Sequence, residues 1–196
     1  PRPAYLFYRT GYPASARATA LPAEYEWSIW KPALNSMMPK GMAQLRKRLA
    51  SRWIMHQVRL FSNREYQVLI IRHARNRDIV HYSGATGGYW RWPFMGAGDM
   101  QIGDTWTDPN HRGHGLARFA LVQLLSTLGQ PGRHIWYVVG EDNAASIAVA
   151  QAGGMTLVGR GMRTTPRVFR FLHAYEIQRS AENQLYSNPG AAPFLP

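Results

Sequence analysis

Cysteine is absent from this 196-residue chain. That removes disulfides, thiolate zinc sites and cysteine nucleophiles, and a reducing, cytoplasmic setting is the expected one. No apolar run approaches the roughly 18 residues needed to span a bilayer. Pro1 to Tyr12 is too short and mixed to read as a secretory leader. Acidic residues are scarce: 11 Asp plus Glu stand against 23 Lys plus Arg, for a formal net charge of +12. Such a balance favours anionic partners (phosphates, nucleic acid or a membrane surface) without specifying a fold. No internal repeat and no long basic tail are present. There is no Walker Gly-Lys-Ser/Thr ending, no G-x-G-x-x-G fingerprint and no H-E-x-x-H. His111 and His114 share a turn, but no third ligand is spaced to join them, so no metal is expected.

What is present is a globular composition, 45% hydrophobic and 12% aromatic, enough for a sizeable core. The first 40 residues, rich in Pro, Ala and aromatics, yield one short strand within Glu24 to Pro32, where Tyr25, Trp27 and Ile29 alternate. Met42, Leu45, Leu49 and Trp53 fall on one stripe and predict a core-packing helix from about Met42. Arg46, Lys47, Arg48 and Arg52 make its neighbourhood basic. Tyr66–His73 and Asp78–Ala85, separated by Ala74–Arg77, predict a hairpin. Asp99–Thr107 resumes alternation, with Met100 and Ile102 on one face and Asp99 and Gln101 on the other. A helix follows Gly115, with Ala117, Leu121, Leu124, Leu125 and Leu128 on its apolar face, and stops at Gly129–Gly132. His134–Val139 is wholly apolar and predicts a central strand. Asp142 and Asn143 are cap candidates for a second helix ending at Gly153–Gly154. Two further strands are expected at Met155–Met162 and Arg167–Tyr175, then a polar, Pro- and Ala-rich tail from Gln178 to Pro196. The order of elements predicts an α/β or α+β architecture around one sheet.

The turn between the Asp99–Thr107 strand and the next helix carries chemistry. Helix N-termini expose unpaired N–H groups and about half a positive charge, and phosphates bind there. Gly113 and Gly115 let the backbone approach an anion, Arg112 adds a cation, and Ala117 keeps the first turn slim. Arg112 to Ala117, with His114 and Leu116 between the small residues, reads as an anion cradle built mainly from backbone.

These six residues resemble the Arg/Gln-x-x-Gly-x-Gly/Ala pattern of the GCN5-related N-acetyltransferases (GNAT). The approach TDPNHRGHGLA is similar to the family's valine-x-proline entry, with Thr107 in the valine position. DNAASIAVAQAGGMTLVG resembles the family's second block, with Asn143 opening the helix and Met155 replacing the usual aromatic. The resemblance spans about Asp99 to Gly161. It implies a mixed, mostly antiparallel sheet flanked by helices, with splayed central strands forming an acyl-CoA cleft. It divides residues 1–177, taken as a single domain, into an acceptor side, 1–98, and an acyl-CoA half, 99–177.

The resemblance also implies a mechanism. Acetyl-CoA, or another acyl-CoA, would lay its pyrophosphate on Arg112, Gly113, His114, Gly115, Leu116 and Ala117. Its pantetheine arm would run beside Thr105, Trp106 and Thr107, with Asn143 bonding the arm and a backbone N–H polarising the thioester carbonyl. The amine would attack directly, so no covalent enzyme intermediate is needed. Asp99 and Asp104 are the candidate bases. Asp99 lies opposite Met100 and Ile102, which suits the cleft; Asp104 shares their face unless a bulge shifts the register. The tyrosine that many members use as the thiolate's acid falls here at Ala150, leaving Ser146 or water.

The expected acceptor is a small-molecule amine, first an amino sugar or sugar nucleotide whose phosphates would suit the charge. YWRWPF, Tyr89 to Phe94, could stack on such a ring or fill core beneath a loop. The rival readings are a non-catalytic acyl-CoA-binding protein, a peptide or protein N-acetyltransferase and, less favoured, a basic nucleic-acid-binding module. A homodimer is left open.

Overall fold

Eight strands and three helices follow one another along the described residues of this computed structural model, which are 4–11, 19–36, 39, 41, 46–164 and 173–178. They are β1 (Ala4–Thr10), β2 (Tyr25–Trp30), α1 (Arg46–Gln57), β3 (Tyr66–His73), β4 (Ile79–Gly87), β5 (Met100–Thr107), α2 (Leu116–Leu128), β6 (Ile135–Gly140), α3 (Ala144–Ala152), β7 (Thr156–Thr164) and β8 (Ala174–Gln178). The strands form one sheet in the order β2-β3-β4-β5-β6-β1-β7-β8. Every neighbouring pair is antiparallel except β5 and β6. Parallel neighbours cannot be joined by a tight turn, and α2 supplies their crossover. The mixed, mostly antiparallel sheet with flanking helices is the architecture expected.

Side chains alternate across the sheet and build a core on each face. On one face Leu121, Leu124 and Leu125 of α2 pack with Leu69, Ile71, Met100 and Ile102, all nearly inaccessible. Each such side chain contributes roughly 1.5–3 kcal/mol by its burial. On the other face Leu49 of α1 joins Tyr66, Val68, Tyr82 and Trp136. The loop from Tyr89 to Met95 closes this second core: Trp92 stacks on Tyr175 at 4.6 Å, and Phe94 meets Trp136 edge-on at 4.8 Å. Tyr89 and Trp92 are buried, while Trp90 stays partly exposed. The YWRWPF run is thus mainly core, and Trp90 is the ring most accessible to a ligand.

The helix expected from Met42 is described from Arg46; Met42 and Leu45 lie outside the described residues. Of the strand expected at Arg167–Tyr175, residues 167–172 also lie outside, and β8 begins at Ala174. Nearly all of the expected tail, residues 179–196, lies outside as well. The main correction is β1, an unforeseen strand inserted between β6 and β7. Its Phe7 and Tyr8 are both buried, one towards each face, so no polar alternation marks it.

Candidate active site

The parallel pairing of β5 and β6 is short. Met100, Gln101 and Ile102 pair with Ile135, Trp136 and Tyr137, and the ladder then stops. β5 runs on along β4 as far as Thr107, and β6 runs on along β1 as far as Gly140. The two strands part into a wedge, as the resemblance implied. The wedge holds a cleft of about 610 Å³. Thr105, Trp106, Thr107, Arg112, Gly113, Gly115, Leu116, Ala117, Asn143 and Ser146 all line it. His114 is not among the lining residues, and its Nδ1 lies 3.1 Å from the Arg112 carbonyl.

The floor of the cleft suits an anion. Gly113 and Gly115 have φ of 83° and 74°, a region that costs an L-residue roughly 1–2 kcal/mol. A Cβ at either would meet nothing within 4 Å, so the cradle is open. Gly115 caps α2 with no side-chain hydrogen bond. The first helical bond runs from Phe119 N–H to the Gly115 carbonyl at 2.9 Å, so the N–H groups of Leu116, Ala117 and Arg118 have no acceptor in the helix. Arg118, overlooked in the sequence, also lines the cleft and has a buried Nε without a hydrogen-bond partner. These residues fit a pyrophosphate.

The inner wall carries a second overlooked residue, Tyr137 of β6. Burial raises its phenol pKa, and hydrogen bonds with the Ser146 and Thr105 side chains pull it partly back. Asn143 caps α3, its Oδ1 accepting from Ser146 N–H at 3.0 Å. The cap commits the oxygen and leaves the amide NH₂ as donor for a ligand. Ala150 is wholly buried and offers no proton.

A bulge decides where Asp104 goes. Tyr82 pairs with Trp106 and Gly84 with Gly103, so Ser83 faces both Asp104 and Thr105. Asp104 takes the strain, with φ of 49°. The bulge sends Asp104 to the α1 face while Thr105 lines the cleft. There Arg52 Nε donates to Asp104 Oδ2 at 3.1 Å and Arg52 Nη1 to Tyr89 Oη at 2.6 Å. Burial opposes the charge of Arg52, but Asp104 and Tyr89 outweigh it and raise its pKa. Tyr66, beside them, is pushed far above the ordinary tyrosine value by burial and then by Asp104, against the pull of Arg52. Asp104, Tyr66, Gln101 and Leu49 border a cavity of only about 10 Å³, room for about one water.

Asp99 is placed elsewhere. It precedes β5, six residues before Thr105, or about 20 Å at ~3.3 Å per residue. Its carboxylate accepts from Gly96 N–H, His134 N–H and Trp136 Nε1–H at 2.9–3.0 Å. Among the candidate bases its surroundings are those of a buried structural acceptor, because its lone pairs tie the β6 entry to the preceding loop. No group of three or more metal-ligating side chains occurs among the described residues, and no described helix is long and apolar enough to cross a membrane.

The sequence offered a usable signal for Arg118, a cation in the first turn of a predicted anion-binding helix. Tyr137 was hidden in the apolar run HIWYVV, where every residue reads as core.

Comparison with known proteins agrees with this geometry. The profile of the Acetyltransferase (GNAT) family matches residues 41–154. No match is found among curated proteins. Among solved structures, a GCN5-related N-acetyltransferase from Sphaerobacter thermophilus is similar with a TM-score of 0.61 and 16% identity, over 92% of this chain and 53% of that one. A tandem GNAT protein from the clavulanic acid biosynthesis pathway, solved without AcCoA, gives 0.54 and 19%, over 80% and 50%. A Drosophila protein gives 0.55 and 13%, over 82% and 49%. The chain spans about half the length of these structures, and at such identities the likeness is one of fold. The family profile, in contrast, covers more than half of the chain and takes in the wedge, the glycine turn and α3, so the chain belongs to the Acetyltransferase (GNAT) family.

Proposed function

We propose that the chain is an acyl-CoA-dependent N-acyltransferase, with acetyl-CoA as donor and a small-molecule amine as acceptor. The observation that carries this reading is the β5–β6 wedge ending on the uncapped N-terminus of α2. Acyl-CoA supplies an activated acyl thioester, and the residues supply binding and proton handling. The N–H groups from Gly113 to Arg118, with Arg112 and Arg118, take the pyrophosphate. Beyond Ile102 the β5 edge has no β6 partner, which leaves backbone at Thr105–Thr107 to pair with an extended arm as an added strand does. The Asn143 amide donates to the same arm.

An N–C bond forms as the C–S bond breaks, so the amine must lose a proton and the departing sulfur must gain one. Asp104 takes the base role, directly or through a water, from the face opposite the cleft. Tyr137 takes the acid role that Ala150 cannot, and Ser146 supports its hydroxyl. Amino sugars and sugar nucleotides are the first acceptors to screen, because the +12 charge suits phosphate-bearing substrates.

A second reading, an acyl-CoA binder without turnover, is favoured by one observation: Arg52 already holds Asp104 and the adjoining cavity is nearly closed. Calorimetric titration with acetyl-CoA, beside a folded Arg112→Glu/Gly115→Asp variant, tests the shared part. Micromolar binding lost in the variant supports both readings, and no binding to the native protein sinks both. Thiol release with an amine panel separates them, since the binder reading predicts none.

A further inference from the structure

The inner wall of the cleft carries a chain of hydroxyls that leads back to a buried histidine. His81 of β4 is wholly inaccessible, yet both ring nitrogens have partners. Nδ1 lies 2.7 Å from Thr107 Oγ1 and Nε2 lies 3.0 Å from Ser83 Oγ. Ser83 Oγ is 3.0 Å from Thr105 Oγ1, and Thr105 and Ser146 line the same cleft as Tyr137 and draw its phenol pKa down. Burial pulls the His81 pKa down to about 3, so at neutral pH the ring has one N–H and one acceptor nitrogen. Every hydroxyl in the chain can turn either way. The ring proton sets the direction for all of them.

We propose that His81 is a positioning residue whose Nε2–H tautomer directs the Ser83–Thr105 chain towards Tyr137, leaving the Tyr137 proton to point into the cleft. The inference rests on the reading of Tyr137 as the acid for the departing thiolate. With the proton on Nε2, His81 donates to Ser83, Ser83 donates to Thr105, and Thr105 donates to Tyr137 Oη. Nδ1 accepts from the Thr107 hydroxyl. Ser146 donates into the second lone pair of the phenol. A phenol has one proton and two lone pairs, so with both lone pairs filled its proton has no acceptor in the wall. The opposite tautomer reverses each bond: Thr105 accepts from Tyr137, and the proton is locked away from the cleft. Nε2–H is also the more stable tautomer of free neutral histidine. During transfer the Tyr137 O–H bond breaks and an S–H bond forms. The phenolate is held by two O–H donors until it regains a proton from solvent after product release.

The test begins on the native protein. In ¹⁵N-histidine-labelled material, with His81 assigned from its absence in His81→Gln, a long-range ¹H–¹⁵N spectrum should give His81 Nε2 the shift of a protonated ring nitrogen and Nδ1 that of an unprotonated one. The reverse pattern overturns the proposal whatever the enzyme does. In kinetics, His81→Leu should lower kcat about 10-fold with the acetyl-CoA Kd changed less than twofold. His81→Gln, which keeps one donor and one acceptor, should recover most of the loss. In a Tyr137→Phe background, His81→Leu should cost nothing further in kcat. An equal cost there overturns the positioning role and leaves the Tyr137 reading intact. No loss of kcat in Tyr137→Phe alone sinks the acid reading and this inference together.

Discussion

The two faces of β5 present opposite kinds of site. On the cleft face the proposed anion site is built from backbone: N–H groups without an acceptor in the helix, two glycines at positive φ and open space above them. On the α1 face the chemistry sits on side chains drawn from distant places: Tyr66 and Asp104 border a cavity of about 10 Å³, and Arg52 ties Asp104 to Tyr89. A backbone site is complete once the turn has formed. A side-chain site is complete only when separate elements have packed, and here it is satisfied internally by an ion pair. Under the proposed function the first face is ready for its ligand, whereas the second would have to give up Arg52 before an ammonium could reach Asp104.

Charge reversal at the backbone site should have the largest effect. Arg112→Glu with Gly115→Asp places two carboxylates where phosphates would bind, and the acetyl-CoA Kd should rise roughly 1,000-fold, about 4 kcal/mol. Isothermal calorimetry on protein checked by circular dichroism measures it. A change under tenfold would mean that the pyrophosphate lies elsewhere.

Tyr137→Phe comes next and asks whether the cleft wall does more than bind. It should lower kcat about 100-fold while the acetyl-CoA Kd stays within a factor of two. Loss of binding without loss of kcat would make Tyr137 a wall residue and no more.

His81 allows a test by pH. Its folded pKa, about 3, lies below the ordinary histidine value of 6.5, so the unfolded chain takes the proton first. Its contribution to stability is complete above about pH 6.5, declines as pH falls and levels off near 3. From pH 7 to 5 the loss should be about 2 kcal/mol, at 1.36 kcal/mol per unit. Urea midpoints across that range measure it, and His81→Gln should lack this part of the slope.

The smallest effect is expected on the α1 face. Arg52→Ala removes an ion pair that is partly exposed to solvent and a hydrogen bond to the buried Tyr89, so stability should fall by about 1–2 kcal/mol. The same change frees Asp104, and the KM for a cationic acceptor should fall in the variant. An unchanged KM would place the acceptor away from Asp104.

The contrast between the faces also explains what could be read beforehand. The glycine turn, α2, the Asn143 cap and the Thr105–Thr107 edge were legible because each rests on local backbone requirements that fix residue types at fixed offsets. Asp104 could be named but not oriented, since its face depends on a bulge that alternation alone does not reveal. Asp99 fitted the alternation and still lies far from the cleft, because periodicity gives the face of a strand and not the position of a site along it. The Arg52–Asp104 pair joins residues far apart in sequence, and no local pattern links them. Tyr137 was missed because β6 is an unbroken apolar run, and nothing in such a run marks the one hydroxyl that reaches a cleft; β1 was missed because its two buried residues, Phe7 and Tyr8, are adjacent and leave no alternation to read.

The central seat of β1 sets a timetable. Thr10 pairs with Ile135, about 125 residues further along, and Arg9 with Thr156. During synthesis β1 leaves the ribosome long before either partner exists. Until β6 and β7 arrive, Leu6, Phe7 and Tyr8 have no sheet to join, and β6 and β7 cannot complete theirs without them. The strand translated earliest among these three is therefore the bolt that closes the sheet, and closing that long a loop makes assembly slow. A nascent chain held short of β7 should expose an apolar strand edge and call on a chaperone.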